Sequence, residues 1–170
     1  LELLELMIMR VCTDAAVLHS AKDRVGAHPM HCLWLANTDE SVGLAMQVLY
    51  KKPSRISLQY HVGGPFEAQN CLHLLAVNGR EDQIIEILDL ATEHLSQEAM
   101  RSLLCEHVRG SFFTEPPMCL YGGNAFAFFV RFNLSEAVTA LLQDDRWQAV
   151  TQALLLGEDS ALYCPVSGFL

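Results

Sequence analysis

The sequence predicts an all-α protein built from helix–turn–helix units, and three observations support this prediction. Apolar residues recur at the spacing i, i+3, i+4 and i+7 in several segments, which is the pattern of a helix with one buried face. Alternation of apolar and polar residues, which is typical of strands, is scarce. Turn signals such as Gly63-Gly64-Pro65, Arg109-Gly110 and Pro116-Pro117 separate the helical segments.

Composition and charge exclude several classes of protein. The 170 residues suffice for one domain or a short array of repeats, and 51% of them are hydrophobic, so the chain is not intrinsically disordered. A net charge of −9 argues against nucleic-acid binding, because affinity for phosphate depends mainly on Lys and Arg. The longest uncharged stretch, residues 116–130, is shorter than the roughly 20 residues of a transmembrane helix. The chain lacks an initiator Met, so we interpret it as a fragment of a longer protein.

The cysteines indicate a reducing environment. No two of them form a C-x-x-C pair, and most have apolar neighbours, as reduced thiols in a protein core do. We therefore predict an intracellular location. The six residues are Cys12, Cys32, Cys71, Cys105, Cys119 and Cys164.

Internal similarity predicts a repeated unit. Three segments align with one another, namely residues 26–37, 68–79 and 122–133. After a short polar turn each is followed by an amphipathic segment, and these segments are residues 40–49, 81–91 and 135–142. A short helix, a tight turn and a second helix thus recur three times, which predicts a stack of helical hairpins.

The middle segment carries the most specific motif. Asn70-Cys71-Leu72-His73-Leu74-Leu75-Ala76-Val77-Asn78-Gly79 resembles the ankyrin signature T-P-L-H-x-A-A-x-x-G, with Asn-Cys in place of Thr-Pro. The resemblance implies that His73 bonds the turn backbone, that Leu72 points into the core and that Ala76 lets helices approach closely. Gly79 is expected to adopt the positive φ that ends the first helix.

The other two segments keep parts of this signature. The first retains Pro29, Met30 and His31, whereas the third has Ala127 in place of the histidine. The residues to which the resemblance assigns a structural role are Pro29, His31, Leu72, His73, Ala76, Gly79, Tyr121 and Gly122.

The spacing and the loop sequences resemble one branch of ankyrin proteins. His31 and His73 are 42 residues apart, and Leu72 and Phe126 are 54 apart, whereas the usual ankyrin period is about 33. Long loops of this kind are found in vanilloid-type transient receptor potential (TRPV-like) channels. The segment from Gly110 to Phe126 is similar to the family's G-x-x-F-x-P and Y-F-G-E-x-P-L motifs, although Gly and Ala replace the Glu and Pro of the second motif. The resemblance covers about residues 25–143.

This resemblance implies a function, a location and partners. It implies the N-terminal cytosolic ankyrin domain of a calcium-permeable cation channel, on the cytoplasmic face of the plasma membrane. The implied partners are proteins, either neighbouring subunits of a homotetramer or regulatory proteins. The alternative is a soluble ankyrin adaptor that binds other proteins through its loops and concave face. In either case we expect a single ankyrin-repeat domain over residues 1–170, with repeats at about 25–62, 66–100 and 121–150 and degenerate ends at 1–24 and 151–170.

Five residues are candidates for contact with a partner. Phe112 and Phe113 lie in a predicted long loop, about residues 98–120, and are either held for a partner or folded back on the third repeat. Lys51, Lys52 and Arg55 form the one basic cluster in the sequence, which is either a ligand site or a solvated helix end.

We expect no catalytic residue, cofactor or metal. Three residues of the first segment could be combined with Cys105 and His107 into a zinc site, but the paired ligand spacing of structural zinc is missing; these three are His28, His31 and Cys32. Motifs of hydrolases, P-loop proteins and dinucleotide-binding proteins are also missing from the sequence. Trp34, Trp147 and the phenylalanines of the third segment are expected in the core.

Overall fold

The fold is known from a computed structural model, which describes residues 2–14, 27–57, 64–111 and 120–156. Helices make up 74% of this part of the chain, and it contains no strand. The prediction of an all-α protein is therefore confirmed.

Nine α-helices and one 3₁₀-helix are found in the described residues. In chain order they are α1 (Glu2–Thr13), α2 (Pro29–Ala36), α3 (Asp39–Lys51), the 3₁₀-helix (Pro53–Ser57), α4 (Cys71–Val77), α5 (Glu81–His94), α6 (Gln97–Cys105), α7 (Ala125–Arg131), α8 (Ser135–Gln143) and α9 (Asp145–Leu156).

Six of the helices form three hairpins in a common register. Hairpin 1 consists of α2 and α3, hairpin 2 of α4 and α5, and hairpin 3 of α7 and α8, and the two helices of each hairpin contact each other. The short turn inside each hairpin contains a residue with positive φ at the same aligned position: Asn37 (50°), Gly79 (67°) and Asn133 (57°). Only Gly and, less often, Asn adopt this conformation readily, so these residues end the first helix of each hairpin.

The hairpins pack side by side in chain order. The first helix of each hairpin contacts the first helix of the next, so that α2 contacts α4 and α4 contacts α7. Among the second helices, α5 contacts α8, and the 3₁₀-helix contacts both α3 and α5. Helix α1 packs on both helices of hairpin 1, and α9 packs on α8.

Helix α6 corrects one of the sequence predictions. Residues from about 98 to 120 were expected to form a long loop outside the repeats, but Gln97–Cys105 is helical and contacts α7, α9 and the 3₁₀-helix. Met100, Leu103 and Leu104 are buried on one side of α6, and the Ser96 side chain accepts a hydrogen bond from the amide of Ala99. The apolar spacing i, i+3, i+4 and the N-cap serine explain why this segment folds as a helix.

The predicted aromatic core is largely confirmed. Trp34, Trp147, Phe128 and Phe129 are among the largest fully buried side chains, and Phe126 is buried as well. Of the cysteines in the described residues, three are buried and Cys32 is exposed, so the expectation of a buried thiol is wrong at that position. The part of the chain that the structure describes has no helix that is long and apolar enough to cross a membrane.

Candidate interaction site

His73 and Asn70 cap helix α4 together. The Asn70 side-chain oxygen accepts hydrogen bonds from the amides of Leu72 (3.0 Å) and His73 (3.4 Å). In return, the Asn70 amide donates to Nδ1 of His73 at 3.2 Å, so the two residues form a capping box. The Asn70 side-chain nitrogen donates to the carbonyl of Leu103 in α6 at 2.8 Å, which ties the cap to the following helix.

His31 plays the same local part in hairpin 1. Its Nδ1 accepts a hydrogen bond from the amide of His28 at 3.1 Å, three residues earlier, as His73 does in hairpin 2. Hairpin 3 has Ala127 at this position, and there the oxygen of Asn124 accepts from the Ala127 amide at 2.9 Å. A histidine is therefore one way, but not a required way, of capping the first helix of a hairpin.

The environment of His73 keeps its ring neutral. Its side chain is fully buried and makes a T-shaped contact with Phe128, with 4.7 Å between the ring centroids. Burial, together with the nearby His107, lowers the pKa of His73 from 6.5 to about 3. A neutral imidazole with a backbone partner on Nδ1 serves as a structural group.

The other residues singled out by the repeat signature lie in or next to the hairpin core. Leu72 and Ala76 are fully buried, and Pro29 occupies the first turn of α2, where its missing N–H costs nothing. Gly122 has φ 79° and donates to the carbonyl of Val108 at 2.8 Å. The segment that leaves α6 is thereby held against the turn that precedes α7, beside the half-buried Tyr121.

The turns of neighbouring hairpins are joined by Arg80, a residue that sequence analysis missed. Its guanidinium donates to the side-chain oxygen of Asn37 (2.8 Å), to the backbone carbonyl of Asn37 (2.8 Å) and to Asp39 (2.7 Å). Arg80 lies between α4 and α5, whereas Asn37 lies in the turn between α2 and α3 and Asp39 is the first residue of α3. One side chain thus fixes hairpin 2 against hairpin 1.

Glu81 continues this connection towards hairpin 3. One of its carboxylate oxygens accepts hydrogen bonds from the amides of Glu136 (2.7 Å) and Ala137 (2.9 Å) at the start of α8. Leu134, the N-cap residue of α8, has no side-chain acceptor, so Glu81 replaces the missing cap from another hairpin. Its negative charge also lies at the positive end of the α8 dipole.

The predicted basic cluster divides into two parts. Lys51 and Lys52 are exposed at the end of α3. Arg55 instead donates to the carbonyls of Cys12 (3.1 Å) and Thr13 (3.3 Å) at the end of α1. Arg55 therefore has a structural partner, while a ligand role for Lys51 and Lys52 stays a prediction.

The predicted aromatic contact pair belongs to the segment between Ser111 and Leu120. Phe112 and Phe113 lie outside the described residues, so their contact with a partner or with the third repeat stays a prediction.

A row of exposed residues crosses the first helices of the hairpins. Leu35 of α2, Val77 of α4 and Arg131 of α7 occupy the same aligned position, and all three are exposed. We call these three residues the exposed row. Two aliphatic side chains thus lie at equivalent exposed positions of consecutive hairpins.

Metal-ligating side chains do not cluster in the described residues, and two of the buried thiols have raised pKa values. Among them, no group of three or more His, Cys, Asp or Glu side chains could hold a metal ion. Burial raises the pKa of Cys12 to about 11 and that of Cys71 to about 12. Both thiols are therefore protonated at neutral pH and are weak nucleophiles.

Comparison with protein-family models, with curated proteins and with solved structures finds no match to this chain.

Proposed function

We propose that this chain is an ankyrin-type protein-interaction domain that contributes to assembly and gating of a TRPV-like, calcium-permeable cation channel. The observation that carries the proposal is the common register of the three hairpins. Their first helices start at Pro29, Cys71 and Ala125, and their second helices each start ten residues later. A repeated hairpin that packs on its neighbours is the unit of a solenoid, and solenoids act mainly as binding surfaces.

Local chemistry supports the ankyrin part of the proposal. Nδ1 of His31 and Nδ1 of His73 accept a hydrogen bond from the backbone at the start of their hairpins, which agrees with the role that the ankyrin signature gives to its histidine. Asn37, Gly79 and Asn133 take the left-handed conformation at the place where the signature has its glycine.

The channel part of the proposal rests on the sequence. The spacings of 42 and 54 residues between equivalent positions and the motifs between Gly110 and Phe126 are similar to those of the TRPV-like family. In that setting the partners are neighbouring subunits of a homotetramer or regulatory proteins.

A soluble adaptor is the second candidate, and the exposed row favours it. Leu35 is 52% exposed and Val77 is 37% exposed at equivalent positions of consecutive hairpins. Apolar side chains in such a row suit a protein ligand that binds across the first helices. An adaptor can bind such a ligand without being part of a channel.

The reading frame of the parent gene separates the two functions. For a channel subunit we expect six apolar spans of about 20 residues each after this domain, and a calcium current when the full-length protein is expressed in cells. Deletion of residues 1–170 from that protein should then abolish assembly or current. A complete reading frame without apolar spans would contradict the channel proposal and favour the adaptor.

A further inference from the structure

The second helices of hairpins 1 and 2 leave a groove between them. Helix α5 packs on α8, but no comparable contact joins α3 and α5 in the described part of the chain. The 3₁₀-helix contacts both α3 and α5 instead, and its Ile56 is fully buried. The groove between α3 and α5 has a volume of about 330 Å³, which is at the lower end of the range for ligand pockets.

A glycine accounts for the space in this groove, which we call the Gly43 groove. Gly43 of α3 lines it together with the buried side chains of Val42 and Met46. A methyl group on Gly43 would have no neighbour within 4 Å. The equivalent residue of hairpin 2 is Ile85, whose partly buried side chain packs against the core. Hairpin 1 therefore has open space where hairpin 2 has an aliphatic side chain.

The charged residues around the Gly43 groove are mainly acidic. Asp39 and Glu86 line it, and Arg80 is the only cation among the described residues that do so. Arg80 already pairs with Asp39 at 2.7 Å. The first turns of α3 and α5 add the exposed carboxylates of Glu40 and Asp82. The starts of the two helices thus carry an excess of negative charge.

Tyr50 adds an exposed aromatic ring near these carboxylates. Its hydroxyl donates a hydrogen bond to Glu86, and its side chain is 55% exposed. The face of an aromatic ring attracts the cationic group of Lys or Arg. Lys51 and Lys52 follow Tyr50 and lie at the opposite end of α3 from Asp39, so they do not neutralise the acidic end of the groove.

We propose that the Gly43 groove binds an aliphatic side chain from a basic segment of a partner protein. The side chain fills the open space and contacts Val42 and Met46, as Ile85 fills the equivalent position of hairpin 2. Lys or Arg residues on either side of it pair with the surrounding carboxylates, in keeping with the net charge of −9. The groove lies on the second helices, so this site is separate from the exposed row and goes beyond the proposed function.

The proposal is tested by fluorescence anisotropy with the 170-residue chain and three labelled peptides. The first peptide is Lys-Lys-Gly-Leu-Gly-Lys-Lys, the second has Gly in place of Leu, and the third has Glu in place of every Lys. We expect the second to bind at least about tenfold more weakly than the first, because it lacks the side chain that the groove buries. The third should also bind at least about tenfold more weakly, because its charges repel those of the groove.

Gly43→Leu is the variant that fills the groove. The added side chain has space, so the Tm should not fall, whereas the affinity for the first peptide should decrease at least about tenfold. Gln47→Leu is the matched control, because Gln47 is exposed one turn later on α3 and does not line the groove. Its affinity should stay within about twofold of the unchanged chain. If Gly43→Leu does not fold, Gly43→Ala takes its place, with a smaller decrease in affinity.

Several results would overturn the proposal. If the first and second peptides bind equally well, the groove does not hold an aliphatic side chain. If Gly43→Leu binds the first peptide as tightly as the unchanged chain does, the peptide binds elsewhere. If the acidic peptide binds more tightly than the basic one, or if none of the three binds at millimolar concentration, the groove does not bind a basic segment. None of these results would contradict the proposed function, which rests on the register of the hairpins.

Discussion

At the residue scale, Gly110 marks a place where two backbones touch. The segment that leaves α6 passes the turn before α4, and the amide of Arg109 donates to the carbonyl of Glu67 at 3.0 Å. A methyl group on Gly110 would overlap the backbone carbonyl of Pro65. We therefore expect Gly110→Ala to lower the free energy of unfolding, measured by urea denaturation, by about 1–3 kcal/mol, because the two segments must move apart.

Gly43→Ala is the control for this prediction. Gly43 lies inside α3, and a methyl group there has no neighbour within 4 Å. The substitution should raise stability by about 0.5–1 kcal/mol, because alanine favours the helix over glycine. If the two substitutions had the same effect, the close approach of Gly110 and Pro65 would be refuted.

The buried His73 makes stability depend on pH. Its pKa is about 3 in the folded chain and 6.5 in the reference state, so below pH 6.5 the unfolded chain binds a proton that the folded chain does not. The contribution of His73 to stability should therefore be lost as the pH falls below 6.5, by at most about 1.4 kcal/mol for each pH unit. His73→Gln should flatten this dependence, because glutamine keeps an acceptor for the capping box but does not titrate.

The comparison uses urea midpoints of the unchanged chain and of His73→Gln, measured between pH 7 and pH 5. An unchanged slope in His73→Gln would show that His73 is not the group that titrates on unfolding.

At the scale of the elements, Glu81 acts as the N-cap of a helix in another hairpin. Its carboxylate accepts hydrogen bonds from the amides of Glu136 and Ala137. Leu134, the N-cap residue of α8, has no side-chain acceptor to offer them. We expect Glu81→Ala to cost about 1 kcal/mol in urea denaturation, the usual effect of removing a cap.

Asp82→Ala isolates the contribution of this contact between hairpins. Asp82 is the next residue in the first turn of α5 and is exposed. Both substitutions remove a negative charge from the start of α5, so their effects on its helix dipole are similar. The extra loss in Glu81→Ala measures the cap on α8, and equal losses would argue against it.

Most of the helices could be predicted from the sequence, because their signals are local. The starts of α5 at Glu81 and of α8 at Ser135 coincide with the predicted amphipathic segments, and Gly79 takes the expected positive φ. Helix α6 was not predicted, because the long spacing between the repeats indicated a loop and the apolar pattern that begins after Ser96 is short. Short sequence patterns determine where a helix starts and ends. The tertiary packing that decides between competing patterns depends on residues that are far apart in the sequence.

At the scale of the whole molecule, the contacts that hold the hairpins together could not be predicted. Arg80 bonds Asp39, which is 41 residues away in sequence, and Glu81 bonds an amide 55 residues away. The sequence around a charged residue at the start of a helix does not indicate its partner, because only the packing of the hairpins brings the two residues together. The same holds for Arg55, which belongs to the basic cluster of the sequence and donates to two carbonyls at the end of α1.

The aromatic pair Phe112 and Phe113 also belongs to this scale, because the proposed function assigns it a contact with a neighbouring subunit. Replacing Phe112 and Phe113 together by Ser should leave the Tm of the 170-residue chain nearly unchanged if the pair is held for a neighbouring subunit. If the full-length protein is the proposed channel, the same change should reduce its tetramer assembly or its calcium current. Phe132→Ser is the control, because Phe132 packs on Phe128 with 6.2 Å between ring centroids, so its loss should lower the Tm. If the double variant lowers the Tm as much as Phe132→Ser does, the pair packs on its own domain. If both the Tm and the current are unaltered, the pair has no role in assembly or gating.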